Sequence, residues 1–167
     1  MNKKRLRIYL EDHLALMVGE IELIVRCHES NQSTNLGRFL ERLVEDVRAQ
    51  QSIADGVLYS VHADKSLAGR MKQGAAWFAE KLGRFKLNDA LLEYSDLSRV
   101  IELETLVATA QERVNLWASL EEILTKDLSL GTLAATDLKD QSENHLAELK
   151  QHHLNAVTLA FLRPVVS

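Results

Sequence analysis

Cysteine, proline and glycine are all scarce in this chain. Cys27 stands alone among 167 residues, so no disulfide can close within one chain and no zinc site built on several thiolates can form. Pro164, the single proline, sits almost at the end, and the seven glycines are scattered. No glycine-rich loop of the kind that cradles phosphate and no nucleophile elbow is present, so the residues give no support to acid–base or nucleophilic catalysis in a recognisable motif. Long apolar runs are missing too, which excludes a membrane-spanning helix. The basic opening MNKKRLR leads into Glu11, Asp12, His13 and Glu20 rather than into an apolar core, so no signal peptide is expected and a cytoplasmic protein is the expectation. An excess of positive charge is also lacking. The net charge is −4, which does not suggest a nucleic-acid binder.

What is present is 46% hydrophobic and 26% charged residues, the balance of an ordinary globular fold, and a chain long enough to bury a core as one domain over 1–167. Poverty in proline with abundant Leu, Ala, Glu and Arg predicts an all-helical protein. Apolar residues recurring by threes and fours place the helices. The first is expected from about Lys4 to Cys27, with Leu6, Leu10, Leu14, Met17, Ile21 and Ile24 or Val25 inward and His13 and Glu20 on one shoulder. The polar stretch 28–35, HESNQSTN, reads as a short loop in which Thr34 or Asn35 caps the next helix, making that helix an antiparallel neighbour. The second helix, about Leu36 to Val61, repeats Leu36, Leu40, Leu43, Val47, Gln50, Ala54, Val57 and Val61, with Asp46 and Gln50 on its inner side.

An additional helix is expected in the connection that follows, with Ser66 as cap and the row Leu67, Met71, Ala75, Phe78, Leu82 and Phe85. Ser95 or Asp96 starts a third long helix reaching about Thr125, whose inner row is read as Val100, Leu103, Val107, Val114 and Ala118 with Glu104 and Gln111 among them. The last helix, Thr136 to Phe161, capped by Thr136 or Asp137, carries Leu138, Ser142, His145, Leu149, His152, Ala156 and Ala160 on one stripe. A buried imidazole without a hydrogen-bond or metal partner costs about 1–3 kcal/mol, so this stripe demands something polar across from it. Two hairpins joined by a connection of more than thirty residues let the second and third helices run parallel, the connectivity of ferritin-like bundles with one crossover.

The stretches YLEDHLALMVGEIELIVR, FLERLVEDVRAQQ, AWFAEKLGRFKLN and LSRVIELETLVATAQERVNLW resemble an uncharacterised bacterial ferritin-like family over nearly the whole chain. The resemblance implies a ferritin-like four-helix bundle, and it invites comparison with the metal site of such bundles: a Glu from each of two helices and Glu-x-x-His from each of the other two. Here Glu20 or Glu22 and Glu104 answer to the first pair. The second helix departs from the pattern, since Glu45 is followed three residues on by Arg48. The fourth departs as well, with His145-x-x-Glu148 reversed and Glu148-x-x-x-His152 one residue too long.

Two readings of these residues compete, and a third concerns the crossover. One is a non-catalytic structural or interaction protein, expected to be a homo-oligomer such as a dimer, whose degenerate site is filled by hydrogen-bonded polar groups that fix bundle register, as single buried amides do in coiled coils. The other is a di-iron or di-manganese type carboxylate protein, holding iron, manganese or zinc through Glu20, Asp46, Glu104, His145, Glu148 and His152. In the third, Arg70, Trp77, Lys81 and Arg84 share one flank of the crossover helix and suit a membrane surface or an anionic partner; against this, such a stripe commonly covers a core while its basic side chains stay in water.

Overall fold

A computed structural model describes residues 1–61, 94–127 and 134–162. Among these residues there are four helices and no strands: α1 (Lys3–Glu29), α2 (Asn35–Val61), α3 (Asp96–Lys126) and α4 (Ala135–Leu162). The described part of the chain is therefore all-α. No described helix is long and apolar enough to cross a membrane. The expected crossover helix, with Arg70, Trp77, Lys81 and Arg84, lies outside the described residues, as does Pro164.

The helix ends follow local chemistry. Thr34 caps α2 as expected, its Oγ1 accepting from Gly37 N at 3.0 Å while donating to Asn31 O at 2.7 Å. Ser95 caps α3 in a reciprocal box with Ser98. The cap expected for α4 is corrected. That helix begins at Ala135, with Leu138 N bonded to Ala134 O at 3.2 Å, and Thr136 instead donates its hydroxyl to Glu121 Oε1 at 2.6 Å, because the acidic end of α3 lies beside it.

Side-chain pairs fix the helix directions. Tyr9 reaches Ser119 and Arg26 reaches Glu102, so α1 and α3 are antiparallel. Asp46 meets His145 and Phe39 stacks on His152, so α2 and α4 are antiparallel. With α1–α2 and α3–α4 joined as hairpins, α2 runs parallel to α3, as the long connection requires. α1 packs on α2 and α3, and α4 on α3 and more loosely on α2, leaving α1–α4 and α2–α3 as diagonals.

Each helix turns a seam of steps of three and four toward the middle, where apolar burial supplies the main drive to pack. In α1 it runs Leu6, Leu10, His13, Met17, Glu20, Ile24 and Cys27, all buried. In α2 it is the expected row, save that Leu58 is buried and Val57 only partly so. In α3 the seam is Leu103, Leu106, Ala110, Arg113, Trp117 and Leu120. Of the expected inner row for α3, Val100, Leu103 and Val114 are buried and Val107 and Ala118 partly so, but its centre lies about one residue round from this seam, and Glu104 and Gln111 face solvent. α3 contacts both α1 and α4, and Val100, Val107 and Val114 form the shoulder of a wide apolar arc. The valines mark the edge of that arc, and the side chain that does sit at its centre is an arginine.

Candidate functional site

The four seams bring one polar residue each, or two, to a single level of the bundle: Glu20 from α1, Gln50 from α2, Arg113 from α3, and Ser142 and His145 from α4. Arg113, Glu20 and Gln50 are each 1% exposed, and Ser142 is fully buried. An arginine reaches this depth only with a counter-charge beside it, because an isolated charge in a low-dielectric interior is prohibitively costly; here Nε and Nη1 have partners, and Nη2 and Glu20 Oε1 have none. Arg113 Nε donates to Glu20 Oε2 at 2.8 Å, and Nη1 donates to Gln50 Oε1 at 3.1 Å. The same Nη1 lies 3.4 Å from both Ser142 Oγ and His145 Nδ1.

Gln50 is the hub of the neutral groups. Its Oε1 also accepts from Trp117 Nε1 at 2.7 Å and from Ser142 Oγ at 3.0 Å, while its Nε2 donates to Gln141 Oε1 at 2.8 Å. One amide thus ties α2 to α3 and α4. His145 closes the layer toward solvent, its Nε2 lying 3.1 Å from Asp46 Oδ2. A guanidinium can only donate, so Nδ1 of His145 accepts, and the proton of the neutral ring sits on Nε2 and is given to Asp46. Burial lowers the His145 pKa, the Arg113 charge lowers it further, and Asp46 pulls it back up. Burial pushes the Glu20 carboxyl up, against the opposing pull of the Arg113 charge and its hydrogen bond and of the Thr109 hydroxyl.

The expected site residues are only partly brought together. Glu20, Asp46 and His145 belong to the layer, joined through Arg113. Glu104 lies at the surface, where its Oε1 is 3.4 Å from His153 Nε2, at ion-pair distance without hydrogen-bond geometry. Glu148 is paired with Arg42 at 3.7 Å, both side chains about half exposed or more. His152 stacks on Phe39 with centroids 5.2 Å apart, and burial lowers its pKa. His13 shares the α1 seam with Glu20 two turns away, as expected, and packs edge-on to the Tyr9 ring with centroids 4.4 Å apart.

The six residues proposed as metal ligands from the sequence therefore do not share one centre. Glu20 is engaged by Arg113, whose fixed positive charge would repel an incoming cation. Among the described residues no three His, Cys, Asp or Glu side chains gather in a group that could hold a metal ion. This arrangement does not fit a two-metal carboxylate site.

Sequence reading overlooked Arg113 and Trp117. The signal was there: continuing Leu103, Leu106 and Ala110 by alternating steps of three and four lands on Arg113, then Trp117, then Leu120. Compared with known proteins, the chain matches no family model, no curated protein and no solved structure.

A second polar cluster fastens the loop end of the bundle. The Asn31 amide donates to Cys27 O at 2.7 Å and to Tyr94 Oη at 2.8 Å, and its Oδ1 accepts from Arg99 Nε at 2.9 Å. Arg26 Nε donates to Glu102 Oε1 at 2.9 Å beside it. Burial, reinforced by the Glu102 charge, pushes the Cys27 thiol up to about 12, so at neutral pH it is an unreactive, protonated core residue.

Proposed function

We propose that this chain is a ferritin-like bundle with a structural or interaction role, in which an internal guanidinium–carboxylate pair holds the place that metal ions take in carboxylate bundles. The topology supports the ferritin-like part: two antiparallel hairpins with α2 and α3 parallel. The single observation that carries the rest is Arg113. Its Nε is paired with Glu20 and its Nη1 is directed at Gln50, Ser142 and His145, while Nη2 and the second Glu20 oxygen are buried without a hydrogen-bond partner; every helix contributes to holding it. Most of the layer's polar atoms are paired with one another across the helices, and its work is to set which helix faces which and in what register.

Metal analysis of protein made without an affinity tag, in medium supplemented with iron, manganese and zinc, tests this. The expected result is far less than one ion per chain and a melting temperature unmoved by added metal, since a ligand bound only by the folded state raises it. Stoichiometric metal with a raised melting temperature would overturn the proposal.

A further inference from the structure

At the end of the bundle where α1 begins and α3 finishes, the two helices part around a groove of about 550 Å³. That is within the range of roughly 300–1,000 Å³ usual for small-molecule sites. Within α1 its lining runs from Arg5 to Tyr9, about 6 Å at the rise of a helix, and Met1 and Asn2 extend it beyond the start of the helix. Its walls are Leu6, Tyr9 and Ile123. The polar atoms in that wall are already satisfied, for the Tyr9 hydroxyl is shared between Ser119 Oγ at 3.0 Å and Asn115 O at 3.3 Å. The interior therefore offers apolar surface and almost no hydrogen bonding to a guest.

The rim is different. Glu122 pairs with Lys126 one turn on, and Asp127 lies 3.4 Å from the Met1 amino group. Arg5 is left over. It lines the groove, and no ion pair ties its side chain to another described residue. A groove with an apolar trough and one uncompensated cation at its rim is complementary to a molecule with an apolar tail and one anionic head.

We infer that this groove binds a small amphiphile of that kind, a medium-chain carboxylate, with its tail along Leu6, Tyr9 and Ile123 and its head on Arg5. The inference is independent of the central layer and of the role proposed for it.

Calorimetric titration of the full chain with decanoate, below the concentration at which it forms micelles, is the test, with decylammonium as the charge-reversed probe. Saturable one-to-one binding of decanoate is expected, with decylammonium at least tenfold weaker. Arg5→Glu is expected to weaken decanoate at least tenfold without shifting the melting temperature, because the Arg5 side chain is exposed and has no ion pair among the described residues. Ile123→Trp, which fills the trough, is expected to abolish binding, and a cooperative melt for that variant verifies that the fold survives. Absence of saturable binding, equal affinity for the two probes, or unchanged affinity in Arg5→Glu would each overturn the inference.

Discussion

Replacing Arg113 by methionine keeps most of the side chain's apolar length but leaves the Glu20 carboxylate alone at 1% exposure. Breaking a buried pair from one side costs about 3–5 kcal/mol, because the surviving charge is uncompensated. An independent route gives a similar figure. Glu20 can escape its charge by taking a proton, and holding an ordinary carboxyl neutral at pH 7 costs about 3.5 kcal/mol at 1.36 kcal/mol per pH unit. For a chain of this size each kcal/mol moves the melting temperature by about 2–4 °C, so Arg113→Met is expected to melt about 6–20 °C below the parent. The pH dependence separates this cause from simple loss of packing. Burial already raises the folded-state pKa of Glu20 in the parent and loss of Arg113 raises it further, so the added penalty grows as pH rises above the unfolded value and fades as pH falls toward it. The deficit relative to the parent should accordingly shrink to about 1 kcal/mol or less by pH 5. The double variant Glu20→Leu, Arg113→Met removes both charges, and replacing a buried pair by apolar groups is often neutral or stabilising by about 1–4 kcal/mol. Urea unfolding of the parent, both single variants and the double variant closes the cycle. A deficit in Arg113→Met below about 0.5 kcal/mol, or one that does not change between pH 7 and 5, would refute the reasoning.

Further outcomes follow from other parts of the fold. His145 has a lowered folded-state pKa, so its contribution to stability is present above its unfolded value near 6.5 and is lost as pH falls through that value toward the folded one. His145→Gln should flatten the fall in melting temperature below pH 6.5, and an unchanged slope would remove His145 as its source. A Cβ on Gly37 would sit 2.2 Å from the backbone oxygen of Asn31, whereas one on Gly56 would meet nothing within 4 Å. Gly37→Ala should therefore cost about 1–3 kcal/mol or more in denaturant unfolding, and Gly56→Ala should gain about 0.5–1 kcal/mol from lower chain entropy. The reverse order would show that the α1–α2 turn is not packed as described. Cys27 should resist thiol reagents in the native protein at pH 8 and react once per chain in denaturant; full labelling of the native protein would contradict its burial.

Much of this fold can be read in the sequence because capped helices with long apolar rows state their own limits. Ser95 starts α3, Thr34 starts α2, and the expected ends of all four helices agree with the observed ones to within about two residues. The stripe on α4 was also legible, with Ser142, His145, Leu149 and Ala156 buried, and so was Gln50 facing inward from α2. The partner that this stripe needed was not, for two physical reasons. Apolar residues surround α3 so widely that a second periodic row, through Val100, Val107 and Val114, competes with the one that leads to Arg113 and Trp117. A rule that looks for carboxylates and imidazoles also passes over an arginine, which belongs in an interior only when tertiary structure brings a carboxylate to it from 93 positions away. The same misplacement of the α3 face put Glu104 inside, where it would have completed a ligand set; it lies in solvent instead.

The most direct measurement of the buried layer is proton exchange at the guanidinium of Arg113, followed by NMR in protein labelled with nitrogen-15 and assigned with Arg113→Met. If Arg113 is locked between Glu20, Gln50, Ser142 and His145, its Nε–H gives a resolved signal that exchanges far more slowly than those of the surface arginines, and Glu20→Gln alters it. A guanidinium that exchanges as fast as those of Arg42 and Arg48 would mean that the centre of the bundle is not built on Arg113.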